Sequence, residues 1–231
     1  MAGPRPQIAD SAIRTWQAGS DERLTLPDYD LDRAYEIKGP DSARELYGKW
    51  AETYDDSFAD DWGFVAPQRI AQLFLAESDG DTPILDIGAG TGLVTEHLGG
   101  ETVDAFDITP EMLDVARTKN IYRDLILGNL LAPIKLPDAT YGGVISCGTF
   151  THGHVGPACF PELLRIVRPG GLFVCGTIPA VMDSMGFGSA LATMQARGQI
   201  SPLRFEEIEI YSNKDHPHAD DRGLVMVFRK T

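Results

Sequence analysis

The chain has 231 residues, 43% of them hydrophobic, with 34 acidic against 20 basic side chains and a formal net charge of -14. That length suits one domain with a buried core, and the negative field repels phosphate backbones, which sets nucleic acid aside as a partner. Three cysteines without metal spacing are not a disulfide framework, "MAGPRPQIADSAIRTW" lacks the apolar segment of a signal peptide, and no run is long enough to span a bilayer, so a cytoplasmic protein with no membrane association is expected.

Residues 1–40 are polar and mixed and read as an N-terminal arm, partly flexible. The folded domain is expected over 41–231. Asp41 or Ser42 can cap a helix through "ARELYGKWAETYDDSF", and a second helix runs through "PQRIAQLFLAES" with Ile70, Leu73, Phe74 and Leu75 on its apolar face. An alternating pattern follows. "ILDIG" is a strand and "GLVTEHLG" opens a helix. "TVDAFDI" is a second strand, and "PEMLDVARTK" is a helix with Pro110 in its first turn. "DLILGNL" and "YGGVISCGTF" are strands, and "PACFPELLRIV" is helical. "RPGG" turns the chain into the strand "GLFVCGTI", and "GSALATMQARG" is a helix before two closing strands, "FEEIEIYS" and "RGLVMVFRKT". Short apolar strands alternating with helices imply an α/β fold: a doubly wound, seven-stranded, mostly parallel sheet with helices on both faces. The last two strands have no crossover helix between them and are expected to pair antiparallel at one edge.

The segment "ILDIGAGTGLVTEHL" sets Gly88, Gly90 and Gly92 between a strand and a helix, at the strand end where α/β sheets bind ligands. Asp107 ends the next strand, 19 residues after Gly88, where a carboxylate can accept from both hydroxyls of a ribose. The spacing is G-x-G-x-G rather than the G-x-G-x-x-G of dinucleotide folds, and Asp86 precedes it. A carboxylate beside a pyrophosphate is unfavourable. Beside an ammonium or a sulfonium it is favourable. The loop therefore points to a positively charged nucleoside, against a scaffold turn with no ligand.

"LDIGAGTGLVTEHL" resembles the first motif of the class I S-adenosylmethionine-dependent methyltransferases, "DAFDITPEMLDVAR" their second, and "LRIVRPGGLFV" the late motif that leads into the fifth strand. "WAETYDDSFADDWGF" and "CGTFTHGHVGP" further resemble the Williams-Beuren region methyltransferase-like subgroup. The resemblance implies a Rossmann-like fold, S-adenosyl-L-methionine as cofactor and named roles. Asp86, Gly88 and Gly90 would line the methionine end, with Gly92 opening the helix beneath. Asp107 would hold the ribose and Ile108 would pack on the adenine. Asn129 and Leu130 stand after the third strand, where the family usually has Asp; an Asn can both accept and donate there. Tyr54 matches a lid tyrosine. Cys147, Gly148 and Thr149 would approach the cofactor at the fourth strand end, and Phe150 would close the sulfonium pocket.

His152 and His154 follow that strand end. No further ligand lies at short spacing, and a site shared with His216 and His218 needs two distant loops to meet. Metal is not expected. Either histidine can act as general base for an acceptor that must lose a proton, with His152 nearer the strand end, or can simply shape the loop. His97 reads as a surface residue. Asp55, Asp56, Asp60 and Asp61 are a solvated helix face or a site for a cationic substrate. "IPAVMDSMGFGSALATM" lines a substrate pocket or packs the core. The reading is in-line methyl transfer to a small molecule by a monomer or homodimer, against a non-catalytic S-adenosylmethionine-binding protein acting as partner or sensor.

Overall fold

The computed structural model describes residues 37, 39–60, 63–151, 153–215 and 218–231. Most of the arm, Asp61, His152 and His216 lie outside the described residues.

Seven strands form one sheet: β1 (Ile84–Ile87), β2 (Val103–Asp107), β3 (Asp124–Leu127), β4 (Tyr141–Phe150), β5 (Val167–Thr177), β6 (Arg204–Glu209) and β7 (Arg222–Arg229). Their order is β3-β2-β1-β4-β5-β7-β6. β1 to β5 run parallel, β7 lies antiparallel between β5 and β6, and the expected antiparallel pair closes that edge. The strand order reverses between β1 and β4, so the carboxyl ends of these two central strands flank a crevice.

β1 and β2 are short, fully buried runs, whereas β3 and β6 at the two edges of the sheet are partly exposed. All four residues of β1 and all five of β2 are buried. Asp104 is tolerated in β2 because Arg123 grips both of its oxygens and Tyr141 donates to one at 2.8 Å. One face of the sheet carries α4 (Phe160–Ile166), α5 (Pro179–Ser184) and α6 (Phe187–Ala196), packed through Phe150, Phe160, Phe173, Phe187 and Phe228. Each such ring, fully buried, contributes about 2–3 kcal/mol of transfer free energy. The other face carries α2 (Ala66–Glu77), whose Ile70 and Phe74 meet Ile84, Ile145 and Val174. α3 (Pro110–Lys119) starts at Pro110 and stops at Asn120, which is left-handed at φ 54.

Two expected helices change form. The segment after the glycine loop makes only a 3-10 turn, Thr95–His97. Left-handed Gly92 and Gly99 bracket it, leaving too little chain for a helix. The helix through residues 43–58 starts as α1 (Pro40–Trp50), tightens to 3-10 at Ala51–Thr53 and widens to a π-helix at Tyr54–Asp60. π segments are rare and concentrate at functional sites. This one lies over the crevice. The Met-rich stretch after β5 packs mainly as core, with Val181, Phe187, Leu191 and Met194 buried.

Candidate active site

The crevice holds a cavity of about 1010 Å³ including its open mouth. Its floor is the glycine loop. Gly88 and Gly90 are both left-handed, at φ 62 and φ 56, for different reasons. A Cβ on Gly88 would stand 2.0 Å from Thr149 Oγ1, so packing against β4 demands glycine there. A Cβ on Gly90 would meet no protein atom within 4 Å, so that backbone faces open space. Gly92 is absent from the cavity wall. It lets Ile121 and Tyr122 approach from behind.

Asp107 is buried at the end of β2. Its Oδ2 accepts from Gly90 N–H and its Oδ1 from Thr109 N–H, both at 2.8 Å. Burial raises its pKa and these N–H groups oppose the rise. The carboxylate thus fixes the loop while lining the cavity, and each oxygen keeps a second lone pair for a ligand hydroxyl. Ile108, Met112 and Leu130 form an apolar wall beside it. Asn129 also lines the cavity, but its amide oxygen accepts from Leu131 N–H at 2.8 Å, which turns the chain out of the strand end.

Asp86 lies beneath the loop rather than on the cavity wall. It is 1% exposed, and its Oδ2 accepts from Thr95 Oγ1 and Tyr122 OH, each at 2.8 Å. Its Oδ1 has no hydrogen-bond partner among the described residues. Burial raises its pKa to about 7, against the two hydroxyls, which lower it. A buried acid with an unsatisfied oxygen under a ligand loop favours a cation above it. The open cradle at Gly90, the Asp107 carboxylate, the apolar wall and this orphan oxygen together fit a cationic nucleoside.

The lid carries Tyr54 over the cavity. Desolvation, then Tyr47 and Cys147, push its hydroxyl well above the usual tyrosine range, so it is a neutral donor. Asp55 ties the lid down: Thr91 Oγ1 donates to its Oδ1 at 2.5 Å, and Lys119 Nζ lies 2.5 Å from its Oδ2 and from Glu96 Oε1. Sequence spacing gave no sign of this latch, because its partners lie 36 and 64 residues away. Asp56 is exposed.

At the end of β4 a second cavity, about 790 Å³ including its mouth, meets the first. Tyr47, Tyr54, Phe64, Cys147, Gly148 and His154 line both. Thr149 faces only the first, and Phe150 is fully buried in the core rather than on either wall. Burial and then Asp86 push the Cys147 thiol up, so it presents a neutral S–H and no thiolate. His154 is held from both sides, Nδ1 by Thr151 Oγ1 at 2.8 Å and Nε2 by Tyr47 OH at 3.1 Å. His97 is exposed and lines neither cavity.

Residues 85–175 match the methyltransferase domain family. Over that segment the chain is similar to the class I S-adenosylmethionine-dependent methyltransferases. The cofactor of these methyltransferases is S-adenosyl-L-methionine. Methyltransferase-like protein 27 of Homo sapiens is 33% identical over 66% of this chain and 64% of its own length. The demethylmenaquinone methyltransferase of Tropheryma whipplei is 31% identical over 63% of this chain and 63% of its own. The chain therefore spans less than two thirds of either relative. Among solved structures, an S-adenosyl-L-methionine-dependent methyltransferase of Methanococcus maripaludis, itself described as putative, superposes with a TM-score of 0.54 at 16% identity, covering 92% of this chain and 98% of that one. That likeness is one of fold. No helix among the described residues is long and apolar enough to cross a membrane.

Proposed function

We propose that this protein transfers the methyl group of S-adenosylmethionine to a small-molecule acceptor. The observation that carries the reading is the junction of two cavities at Cys147 and Gly148, one built for a nucleoside and one for an acceptor. The bound cofactor supplies an electrophilic methyl on a sulfonium. The chain's own residues hold and orient. Asp107 accepts from the ribose hydroxyls, Ile108 and Leu130 pack on the adenine, and Asn129 meets its edge. Gly88 and Gly90 shape the loop along the methionine end, above the Asp86 carboxylate. Tyr54, Cys147 and Gly148 border the point where the cavities meet, and His154 stands there as the candidate base. Closing the lid excludes water and aligns an acceptor for in-line displacement. A small acceptor suits the second cavity's size, and the demethylmenaquinone methyltransferase relative supports that class.

Calorimetric titration with S-adenosylmethionine, its demethylated product and NAD tests the first half. Micromolar binding of the first two and none of NAD is expected. Methyl transfer to a panel of small acceptors then tests the second. Binding without transfer to any acceptor would favour a sensor, and no binding at all would end the reading.

A further inference from the structure

The wall of the second cavity narrows the acceptor, given the methyl-transfer reading above. Among the described residues it carries no Asp, Glu, Lys or Arg. A carboxylate, phosphate or ammonium acceptor would lose its hydration there and find no counter-charge among the described residues of the wall. Rings dominate the wall instead: Tyr47, Trp50, Tyr54, Phe64 and Tyr211. Tyr47 and Trp50 meet edge-on at 5.6 Å between centroids, and Phe64 and Tyr211 lie 5.7 Å apart. Such walls favour a flat ring.

One polar chain enters this apolar space, and its direction can be assigned. The carbonyl of Gly148 can only accept, so Thr151 Oγ1, 3.4 Å away, donates to it. The Thr151 oxygen then accepts from His154, so Nδ1 carries the proton. Nε2 is left with its lone pair toward Tyr47 OH at 3.1 Å. Tyr47 and His154 line both cavities, so the basic end of the chain stands where acceptor and cofactor meet.

We infer that the acceptor is an uncharged, planar molecule bearing a phenolic or enolic hydroxyl, and that Tyr47 relays its proton to His154. The acceptor O–H bond breaks and its proton moves to the Tyr47 oxygen. The Tyr47 proton moves to Nε2 of His154. The acceptor oxygen's electron pair forms the new bond to the methyl carbon, and the carbon–sulfur pair stays on sulfur. The positive charge lost at the sulfonium ends on the His154 imidazolium, so the step needs no other reactant.

The test uses the full chain with a naphthol, the matching naphthoic acid and the matching naphthylamine, then with naphthols made more acidic by electron-withdrawing substituents. The naphthol should be methylated, and the acid and amine at least ~100-fold more slowly. Tyr47→Phe should cut kcat on the plain naphthol by about 100-fold or more, the range of a positioned proton acceptor. That loss should shrink steadily as the acceptor grows more acidic, while S-adenosylmethionine affinity stays within about twofold. His154→Ala should give the same trend, so a Tyr47→Phe chain that fails to fold leaves the test intact. Preference for the acid or the amine overturns the acceptor class. An equal loss across the acidity series returns Tyr47 to packing and overturns the relay. Cofactor binding with turnover on none of these acceptors overturns this inference alone, whereas absent cofactor binding removes the methyl-transfer reading.

Discussion

Asp86→Asn should make the cofactor-free protein more stable above neutral pH. Burial raises the folded-state pKa of Asp86 from 3.8 to about 7. The folded chain therefore holds this proton more tightly than the unfolded chain. The resulting stability is full below about pH 3.8 and is lost as pH rises to about 7. Above that, the folded protein carries the whole cost of a buried charge, about 4 kcal/mol at ~1.4 kcal/mol per pH unit. Asparagine keeps the shape. Its amide oxygen can take the hydroxyls of Thr95 and Tyr122, while its NH₂ replaces Oδ1, which has no hydrogen-bond partner among the described residues. That orphan donor costs about 1–3 kcal/mol. The variant should then exceed the parent by about 1–3 kcal/mol at about pH 8.5. The difference should grow by about 2 kcal/mol between about pH 5.5 and 8.5. Urea unfolding of both proteins without cofactor, at half-unit pH steps, measures it. A difference that does not change with pH would refute the burial argument.

Asp107→Ala strands Gly90 N–H and Thr109 N–H and removes a charged acceptor for the ribose hydroxyls, worth about 1.5–3 kcal/mol per bond. Calorimetry should show S-adenosylmethionine binding at least ~10-fold weaker, and unchanged affinity would take Asp107 out of the site. Gly88→Ala should lower the melting temperature far more than Gly90→Ala, because only the first places a Cβ against Thr149; Gly90→Ala carries only the ~1–2 kcal/mol of a left-handed residue and should act chiefly on cofactor affinity. Reversed rankings in melting and titration would undo that distinction. Asp55→Ala removes the tie to Thr91 and leaves Lys119 with Glu96 alone. Stopped-flow should show cofactor release several-fold faster, and an unaltered rate would mean the lid closes without this latch.

The strand–glycine–strand core was legible because its signals are local: an apolar run, a glycine triplet, an acidic strand end. The antiparallel closing pair followed from the absence of chain for a crossover. What sequence could not convey depends on neighbours distant along the chain. Gly88 and Gly90 look alike until Thr149 of β4 is placed against one of them. Asp55 reads as one of several solvated acids until the lid brings it to Thr91 and Lys119. The change of pitch at Tyr54 has no periodic signature, since the same apolar spacing serves an α-helix. Tyr47 carried no signal at all, because its partner His154 lies 107 residues away.

The single bridge between Phe64 and Tyr211 joins the end of the lid to the loop after β6. The second cavity takes part of its wall from the β6–β7 hairpin, while among the described residues the nucleoside cradle draws only on residues 40–155. Heredity can act on the two separately. Exchanging the hairpin would retune which molecule is accepted without disturbing how the methyl donor is gripped, so a lineage of such chains can diversify its chemistry by editing one corner of the sheet.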